Sequence, residues 1–346
     1  MTYNARTAFG DFDQALALEP GRYERARRRH RQITAALKNA ALIESSCLQG
    51  SFARKTRIAP LDDVGMVMVF HRRFARLVKR PGGAADAMAM LCDAVTEAFP
   101  GSRFGDEDRT SRALQVTFAD LDVTFGLTPA LADPRCTDLL TANWERDSWE
   151  RSTVRTLNRV IGRHDHATDG RFVHQVRMLK ALRNGHPALR ETRGLLWEAL
   201  AYEAVSGPRQ HDDAIATALA HAAQAVTGPV LDPTGSADLT ADWTDEQRRA
   251  RADVLAALAE QAAEARHRER SGDHAGAIRV WHGVFGAPFP ATPEDRRSEA
   301  AGGTGHRTAR RRSAPSPRVR SFGPFAARPV TWSVFAGAAR TLPPAR

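Results

Sequence analysis

The most informative segment of the sequence runs from residue 48 to residue 70: Leu48-Gln-Gly-Ser-Phe-Ala-Arg-Lys-Thr-Arg-Ile-Ala-Pro-Leu-Asp-Asp-Val-Gly-Met-Val-Met-Val-Phe70. A short apolar run leads into Gly50-Ser51, and about a dozen residues later an apolar segment begins at Asp63. A Gly-Ser pair at the end of a strand lets backbone N–H groups approach an anion closely, and the serine hydroxyl adds a donor. The apolar side chains of residues 64–70 predict a strand inside a sheet with both faces covered.

The segments on either side predict a mixed α/β half followed by a helical half. Before residue 150, the pattern predicts helices over residues 21–41 and 85–99, and a pair of strands over residues 114–118 and 123–127 that ends at Pro129. After residue 150, apolar residues recur at helical spacing in five segments, 152–162, 171–184, 195–205, 212–227 and 244–270. We therefore predict an α+β fold, with an α/β lobe over residues 1–150, a helical lobe over residues 151–290, and a cleft between them.

The chain has 346 residues, with 50 Lys and Arg against 40 Asp and Glu. Its formal net charge of +10 belongs mainly to residues 291–346, which contain eleven Arg, no Lys and three acidic residues. This Arg- and Pro-rich composition cannot bury enough apolar surface to offset its ordering entropy, so we predict a disordered tail. The alternative interpretation is an arm that binds nucleic acid through Arg310, Arg311 and Arg312.

Composition also excludes several classes of protein. No apolar run approaches the ~20 residues that a membrane span requires, so we predict no membrane segment. The first twenty residues contain Asp11, Asp13 and Glu19 and no apolar core of a signal peptide, which predicts a protein that is not secreted. The chain's three cysteines are too few for a disulfide framework. We therefore expect a cytoplasmic location.

The spacing of Gly50-Ser51 and the strand from Asp63 suits nucleotidyl transfer. In that chemistry the strand presents two carboxylates on one face, at positions i and i+2, and a neighbouring strand supplies a third. Together they hold two divalent ions that bridge the phosphates and activate the attacking hydroxyl group.

The series resembles the signature of the polymerase-β-type nucleotidyltransferase superfamily, a Gly-Ser pair followed by an Asp-x-Asp strand. More narrowly, it resembles the CD-NTases, bacterial cyclic-oligonucleotide synthases of anti-phage signalling that are relatives of cGAS and the oligoadenylate synthases. Further segments match in the family's order over about residues 20–290, namely residues 116–130, 144–158, 176–180, 197–202, 231–235 and 277–290.

The resemblance implies a two-lobed fold, a mixed-sheet N-lobe and a helical C-lobe that closes a nucleotide cleft. It also implies a cytoplasmic enzyme that joins nucleoside triphosphates into a cyclic di- or trinucleotide with the help of Mg²⁺, and a messenger that switches on an effector. By the same resemblance, Gly50 and Ser51 bind nucleotide, Asp63 is a catalytic metal ligand, and Lys180 meets the phosphates.

Two positions depart from the family pattern. Gly65 stands where the second carboxylate of Asp-x-Asp belongs, and Gly126 stands where the third carboxylate precedes x-x-Pro-Ala. Asp62 would point to the opposite face of the strand from Asp63. Asp122 shares a face with Gly126 but lies four residues away, about 13 Å at ~3.3 Å per residue. One carboxylate with nucleotide phosphates would hold Mg²⁺ weakly.

Two hypotheses follow. The first is a catalytically impaired family member that still binds nucleotide, or a protein partner, in the cleft. The second is a working transferase whose metal ligands are relocated to Asp62 or Asp122.

Simpler interpretations also stay open for single residues. Gly50-Ser51 would then be a tight turn, Asp63 a solvated strand cap and Lys180 a surface charge. His164 and His166 fit no zinc pattern and are assigned to a solvated loop. A last group of aromatic residues at spacing four is assigned to helix packing: Trp281, Phe285 and Phe289.

Overall fold

A computed structural model describes residues 3–104, 112–133 and 135–302, the last five of them without their side chains. In these residues seven strands form one sheet: β1 (Ile43–Gln49), β2 (Asp63–Phe70), β3 (Ser102–Phe104), β4 (Leu114–Phe118), β5 (Leu121–Ala132), β6 (Leu139–Asn143) and β7 (Ser148–Ser152). The same described residues contain twelve α-helices: α1 (Ala5–Leu16), α2 (Pro20–Asn39), α3 (Gly50–Ala53), α4 (Gly83–Ala98), α5 (Val154–Ala167), α6 (Phe172–Gly185), α7 (Pro187–Arg190), α8 (Gly194–Ala204), α9 (His211–Ala225), α10 (Asp245–Arg270), α11 (His274–Phe285) and α12 (Pro293–Gly302).

The sheet is mixed, and the predicted α+β class is confirmed. Its main strand order is β1-β2-β5-β4-β3, in which β2 and β5 run parallel. The pairs β1-β2, β4-β5 and β3-β4 are antiparallel. The last three residues of β5 pair with β6, and β6 pairs with β7. The strand that carries Asp63 and the strand that carries Gly126 are therefore direct neighbours.

Helices α2 and α4 cover one face of the sheet. Val64 and Met66 of β2 pack there with Ile33 of α2 and Leu91 of α4 in one hydrophobic cluster. Because side chains alternate across a strand, Asp63 and the other odd-numbered positions of β2 lie on the opposite face. That second face meets the start of the helical half, where residues of β2, β5, β6 and α5 form a smaller cluster.

A second large core is helical and includes the N-terminal helix α1. Phe9 and Phe12 of α1 are buried against Trp281, Phe285 and Phe289, with ring centroids between 4.8 and 5.9 Å apart. The assignment of the last three aromatic residues to packing is thus confirmed. The sequence did not predict α1, which precedes the sheet in the chain but packs with the helices that follow it.

Two other sequence predictions need correction, and one pair of strands was not predicted. Pro129 does not end its strand, because β5 continues to Ala132. Pro129 lies between Leu127, the last residue paired with β4, and Ala130, the first paired with β6, so its missing N–H group breaks no ladder on that edge. The hairpin of β6 and β7 was not predicted. The tail predicted from residue 291 instead begins with α12, and residues 303–346 lie outside the described part of the chain.

Residues Met1–Glu299 form one compact unit, and the lobe boundaries near residues 150 and 290 stay a prediction. In the part of the chain that the structure describes, no helix is long and apolar enough to cross a membrane.

Candidate functional site

The turn after β1 places Gly50 and Ser51 at the mouth of a cavity of about 510 Å³. Gly50 has φ of 75°, a left-handed conformation that favours glycine, and it begins the single turn of α3. The backbone N–H of Thr56 then donates to the carbonyl oxygen of Ser51 over 2.9 Å, which closes the turn. Asp63 and Lys180 line the same cavity, so the structure brings together all four residues of the predicted site that carry its chemistry.

Asp63 does not stand free at the start of β2, because Arg57 holds it. One guanidinium nitrogen of Arg57 lies 2.5 Å from a carboxylate oxygen of Asp63, and another lies 3.2 Å from a carboxylate oxygen of Asp62. The same guanidinium donates to the carbonyl oxygen of Pro60. The Arg57 side chain is 20% exposed, whereas those of Asp62 and Asp63 are 64% and 65% exposed.

This arrangement corrects one expectation. The sequence placed Asp62 on the face opposite Asp63, but β2 begins at Asp63, so strand alternation does not govern Asp62. Asp122, the other alternative ligand, pairs with Arg22 at 3.6 Å and lines a different cavity from Ser51. Asp62 lines both cavities.

Gly65 and Gly126 face each other across β2 and β5 on the cleft side of the sheet. The register pairs Gly65 with Gly126, and it continues the row with Gln49 of β1 on one side and Gln115 of β4 on the other. The two positions where the family pattern has carboxylates are therefore nearest neighbours, and the row Gln49-Gly65-Gly126-Gln115 contains no charge.

The two glutamine side chains lie over the two glycines. A Cβ atom added at Gly65 would lie 2.7 Å from Cγ of Gln49, and one added at Gly126 would lie 3.4 Å from the amide of Gln115. Gln49 also donates from Nε2 to Oγ1 of Thr128 at 3.0 Å, which fixes its side chain across β2. A side chain at position 65 would therefore require Gln49 to move. Sequence reasoning missed both glutamines because only the strand register places them there.

Lys180 belongs to a buried polar network rather than to an exposed surface. Its ammonium group donates to Oε1 of Glu198 at 2.8 Å and to both the hydroxyl and the carbonyl oxygen of Thr56, at 3.0 and 3.1 Å. Arg54 donates to the other oxygen of Glu198 at 2.6 Å. The network ties the loop after Ser51 to helices α6 and α8, and so joins the two halves of the site.

Burial and charge oppose each other in this network. Burial alone would raise the pKa of Glu198, but the nearby charges of Lys180 and Arg54 and their hydrogen bonds outweigh it and lower that pKa to about 2. Burial lowers the pKa of Lys180, and the charge of Glu198 offsets part of that effect. Two cations thus share one buried carboxylate. Glu198 was not singled out from the sequence, although its segment was matched.

The residues present do not fit the two-metal site that the family resemblance implies. Asp63 is bound by Arg57, and glycines covered by glutamines replace the other two carboxylates. Within residues 3–104, 112–133 and 135–302, no three His, Cys, Asp or Glu side chains form a group that could hold a metal ion. His164 and His166 lie in the last turn of α5, not in a loop, and His164 packs on Phe172 and Tyr202.

A second cavity of about 690 Å³ continues the cleft along the sheet face. It shares Gly50, Arg54 and Leu195 with the first cavity and adds Gln49 and the Asp232 loop. The Asp232 carboxylate accepts hydrogen bonds from Thr234 and Ser236, which gives the loop its shape. Because they share lining residues, the two cavities adjoin each other.

A mixed sheet with a Gly-Ser turn and an acidic strand, opened toward a cleft that helices close, defines a protein with the polymerase-β-type nucleotidyltransferase fold. Residues 1–161 match the family model described as "Second Messenger Oligonucleotide or Dinucleotide Synthetase domain". This match and the solved structures below confirm the resemblance to the CD-NTases that the sequence predicted.

Three solved structures illustrate the similarity. The CdnC:HORMA-deltaN complex of E. coli MS115-1 has a TM-score of 0.64 at 14% identity and covers 83% of this chain and 98% of the other. The Bradyrhizobium diazoefficiens CD-NTase CdnG in complex with GTP has a TM-score of 0.61 at 14% identity, with coverages of 85% and 97%. The 3'-deoxy GTP bound form of Vibrio cholerae DncV has a TM-score of 0.59 at 12% identity, with coverages of 80% and 92%. No curated protein matches the chain by sequence.

Proposed function

We propose that this protein is a CD-NTase-like protein that binds a nucleoside triphosphate in its cleft but is impaired in nucleotidyl transfer. One observation carries the proposal. Gly65 and Gly126 oppose each other where the family pattern has two of its three carboxylates, and Gln49 and Gln115 fill the space above them.

The loss of two carboxylates matters because nucleotidyl transfer develops negative charge on the phosphates. Three carboxylates hold the ions that stabilise the phosphates and activate the attacking hydroxyl. With Asp63 alone, and with Arg57 bound to it, that stabilisation is lost, and removal of such electrostatic support costs several kcal/mol of barrier. This chain therefore retains the cleft with only one of the three ion-binding carboxylates, Asp63.

The cleft keeps features that suit a triphosphate. Gly50 and Ser51 line the first cavity, which also carries Arg183. Within the described residues Arg183 has no acidic partner, because its guanidinium donates to the side chain of Asn184 and to the carbonyl oxygen of Thr192. A volume of about 510 Å³ lies in the ordinary range of small-molecule sites.

The test measures binding and chemistry separately. The protein is incubated with ATP, GTP, CTP and UTP, singly and mixed, with Mg²⁺ or Mn²⁺; calorimetry reports binding and a coupled assay reports pyrophosphate. We expect binding of at least one nucleotide without pyrophosphate release above background. Arg183→Gln should weaken binding about tenfold, whereas the matched control Arg193→Gln, which breaks an exposed pair with Asp242 outside the cavity, should not. Rapid pyrophosphate release by the unmodified protein would overturn the proposal.

The alternative, an active transferase with relocated ligands, is favoured by one contact. Asp62 and Asp63 both reach the guanidinium of Arg57, so both carboxylates lie at one place at the edge of the cleft. If the protein releases pyrophosphate and Asp62→Asn abolishes that release, the relocated site is correct.

Other parts of the proposal come from the relatives. One similar structure is a complex of CdnC with HORMA-deltaN, and others contain ATP or GTP, so we propose a protein partner as well as a nucleotide for this chain. We also propose a cytoplasmic location and a part in anti-phage signalling.

The nucleic-acid interpretation of Arg310, Arg311 and Arg312 falls on residues outside those described and stays a prediction. Unchanged DNA and RNA affinity after deletion of residues 303–346 would refute it.

A further inference from the structure

We infer that Arg57 is a resident cation that takes the place of a divalent ion beside Asp63, so that nucleotide binds in this cleft without metal. The inference rests on the proposed nucleotide binding and concerns how that binding is achieved. The guanidinium of Arg57 donates hydrogen bonds to three groups that lie within six residues of it along the chain. These are the carbonyl oxygen of Pro60 and the carboxylates of Asp62 and Asp63.

The geometry fixes the guanidinium in place. Two nitrogens of Arg57 donate to the Pro60 carbonyl, each at 3.3 Å, which orients the planar group toward the two carboxylates. Arginine keeps its charge throughout the pH range in which proteins are folded. A metal ion at Asp63 would therefore have to displace a fixed and permanently charged partner, and it would gain only exposed carboxylates as ligands.

The charges that line the first cavity also favour binding of a triphosphate without metal. Four cations line it, Arg54, Arg57, Lys180 and Arg183, against three anions, Asp62, Asp63 and Glu198. The formal balance, 4 − 3, is +1. Carboxylates at positions 65 and 126, on the sheet face that carries Asp63, would add two negative charges beside this lining and bring the sum to −1, and a triphosphate would then need metal ions to offset the repulsion. With glycine at both positions, the cleft attracts a triphosphate by itself.

The test uses ATP and GTP as probes and the full chain. Their dissociation constants are measured in EDTA and in excess MgCl₂. We expect the two values to agree within about twofold, and Arg57→Gln to weaken binding in EDTA about fivefold. Binding that is more than about tenfold tighter with Mg²⁺ would overturn the inference and leave the proposed function standing. Absence of binding under both conditions would overturn the proposed function, and with it the claim of metal-free binding.

A second measurement needs no nucleotide. Mn²⁺ binding to the protein is followed by electron paramagnetic resonance in the unmodified chain and in Arg57→Gln. We expect the variant to bind Mn²⁺ at least about threefold more tightly, because Asp62 and Asp63 lose their partner, and Asp63→Asn in the same chain to remove the gain. Arg22→Gln is the matched control, because it frees the exposed Asp122 outside the first cavity and should give no gain. Equal Mn²⁺ affinity in the unmodified chain and Arg57→Gln would refute the role of Arg57.

Discussion

Replacement of Glu198 by Gln is expected to destabilise the protein strongly. Glu198 is 1% exposed and is the shared acceptor for Arg54 at 2.6 Å, Thr56 at 2.7 Å and Lys180 at 2.8 Å. Glutamine keeps the shape but removes the charge, so two buried cations lose their counter-charge. Loss of one partner from a buried ion pair costs about 3–5 kcal/mol.

The assay is equilibrium unfolding in urea. With a slope of about 3 kcal/mol per molar for a domain of this size, the midpoint should fall by at least about 1 M. Glu203→Gln is the matched control, because Glu203 lies on the same helix but is 42% exposed and, among the residues that the structure describes, pairs with His221 alone, at 3.0 Å. That variant should lose less than about 1 kcal/mol. A loss below about 1 kcal/mol in Glu198→Gln would show that Arg54 and Lys180 do not depend on the charge of Glu198.

The pH dependence supplies an independent check. The pKa of Glu198 is lowered to about 2 from its ordinary value of 4.5, so the folded state holds the charged form more strongly than the unfolded state does. Its contribution to stability is complete above pH 4.5 and is lost as the pH falls toward 2. The difference in unfolding free energy between the unmodified chain and Glu198→Gln should therefore narrow below pH 4.5 and stay constant above it.

Three further predictions concern the scaffold. Phe12→Ala should cost about 3–5 kcal/mol in urea unfolding, because Phe12 is fully buried in the helical core; a cost below 1 kcal/mol would show that α1 is not part of that core. Gly50→Ala should lower the free energy of unfolding by about 1–2 kcal/mol, because Gly50 has φ of 75°. Gly10→Ala, in helix α1 with open space around it, should raise that free energy by up to about 1 kcal/mol. Equal effects of the two substitutions would contradict the left-handed conformation of Gly50. Burial lowers the pKa of His211 to about 4, so stability should fall by up to about 2 kcal/mol between pH 6.5 and 4; a His211→Gln chain with the same slope would exclude His211 as the cause.

Much of the fold was predictable because its signals are local. The apolar run after Asp63 predicted β2, and helical spacing predicted both ends of α2, α4, α6 and α10 to within two residues. The glycines at positions 65 and 126 were also recognisable from the sequence, because each replaces a carboxylate within a short motif. The sequence therefore predicted the fold class and the positions where carboxylates are absent.

The rest depends on contacts between distant residues. That Gly65 lies opposite Gly126, with Gln49 and Gln115 above them, follows from the registers of four strands, which the sequence pattern leaves open. Phe9 of α1 meets residues more than 260 positions later, so no local periodicity could assign it to the helical core. Even the local contact of Arg57 with Asp63 was missed, because the turn that brings them together has no regular repeat.

The most direct test of the central claim is the rate of pyrophosphate release by a chain in which the two carboxylates are restored. Gly65→Asp and Gly126→Asp are combined with Gln49→Ala, because Cγ of Gln49 lies 2.7 Å from a Cβ at position 65. The unmodified chain and Gln49→Ala alone are measured beside it with all four nucleoside triphosphates and Mn²⁺. We expect pyrophosphate release by the restored chain alone; equal release by the unmodified chain would show that the missing carboxylates do not impair transfer.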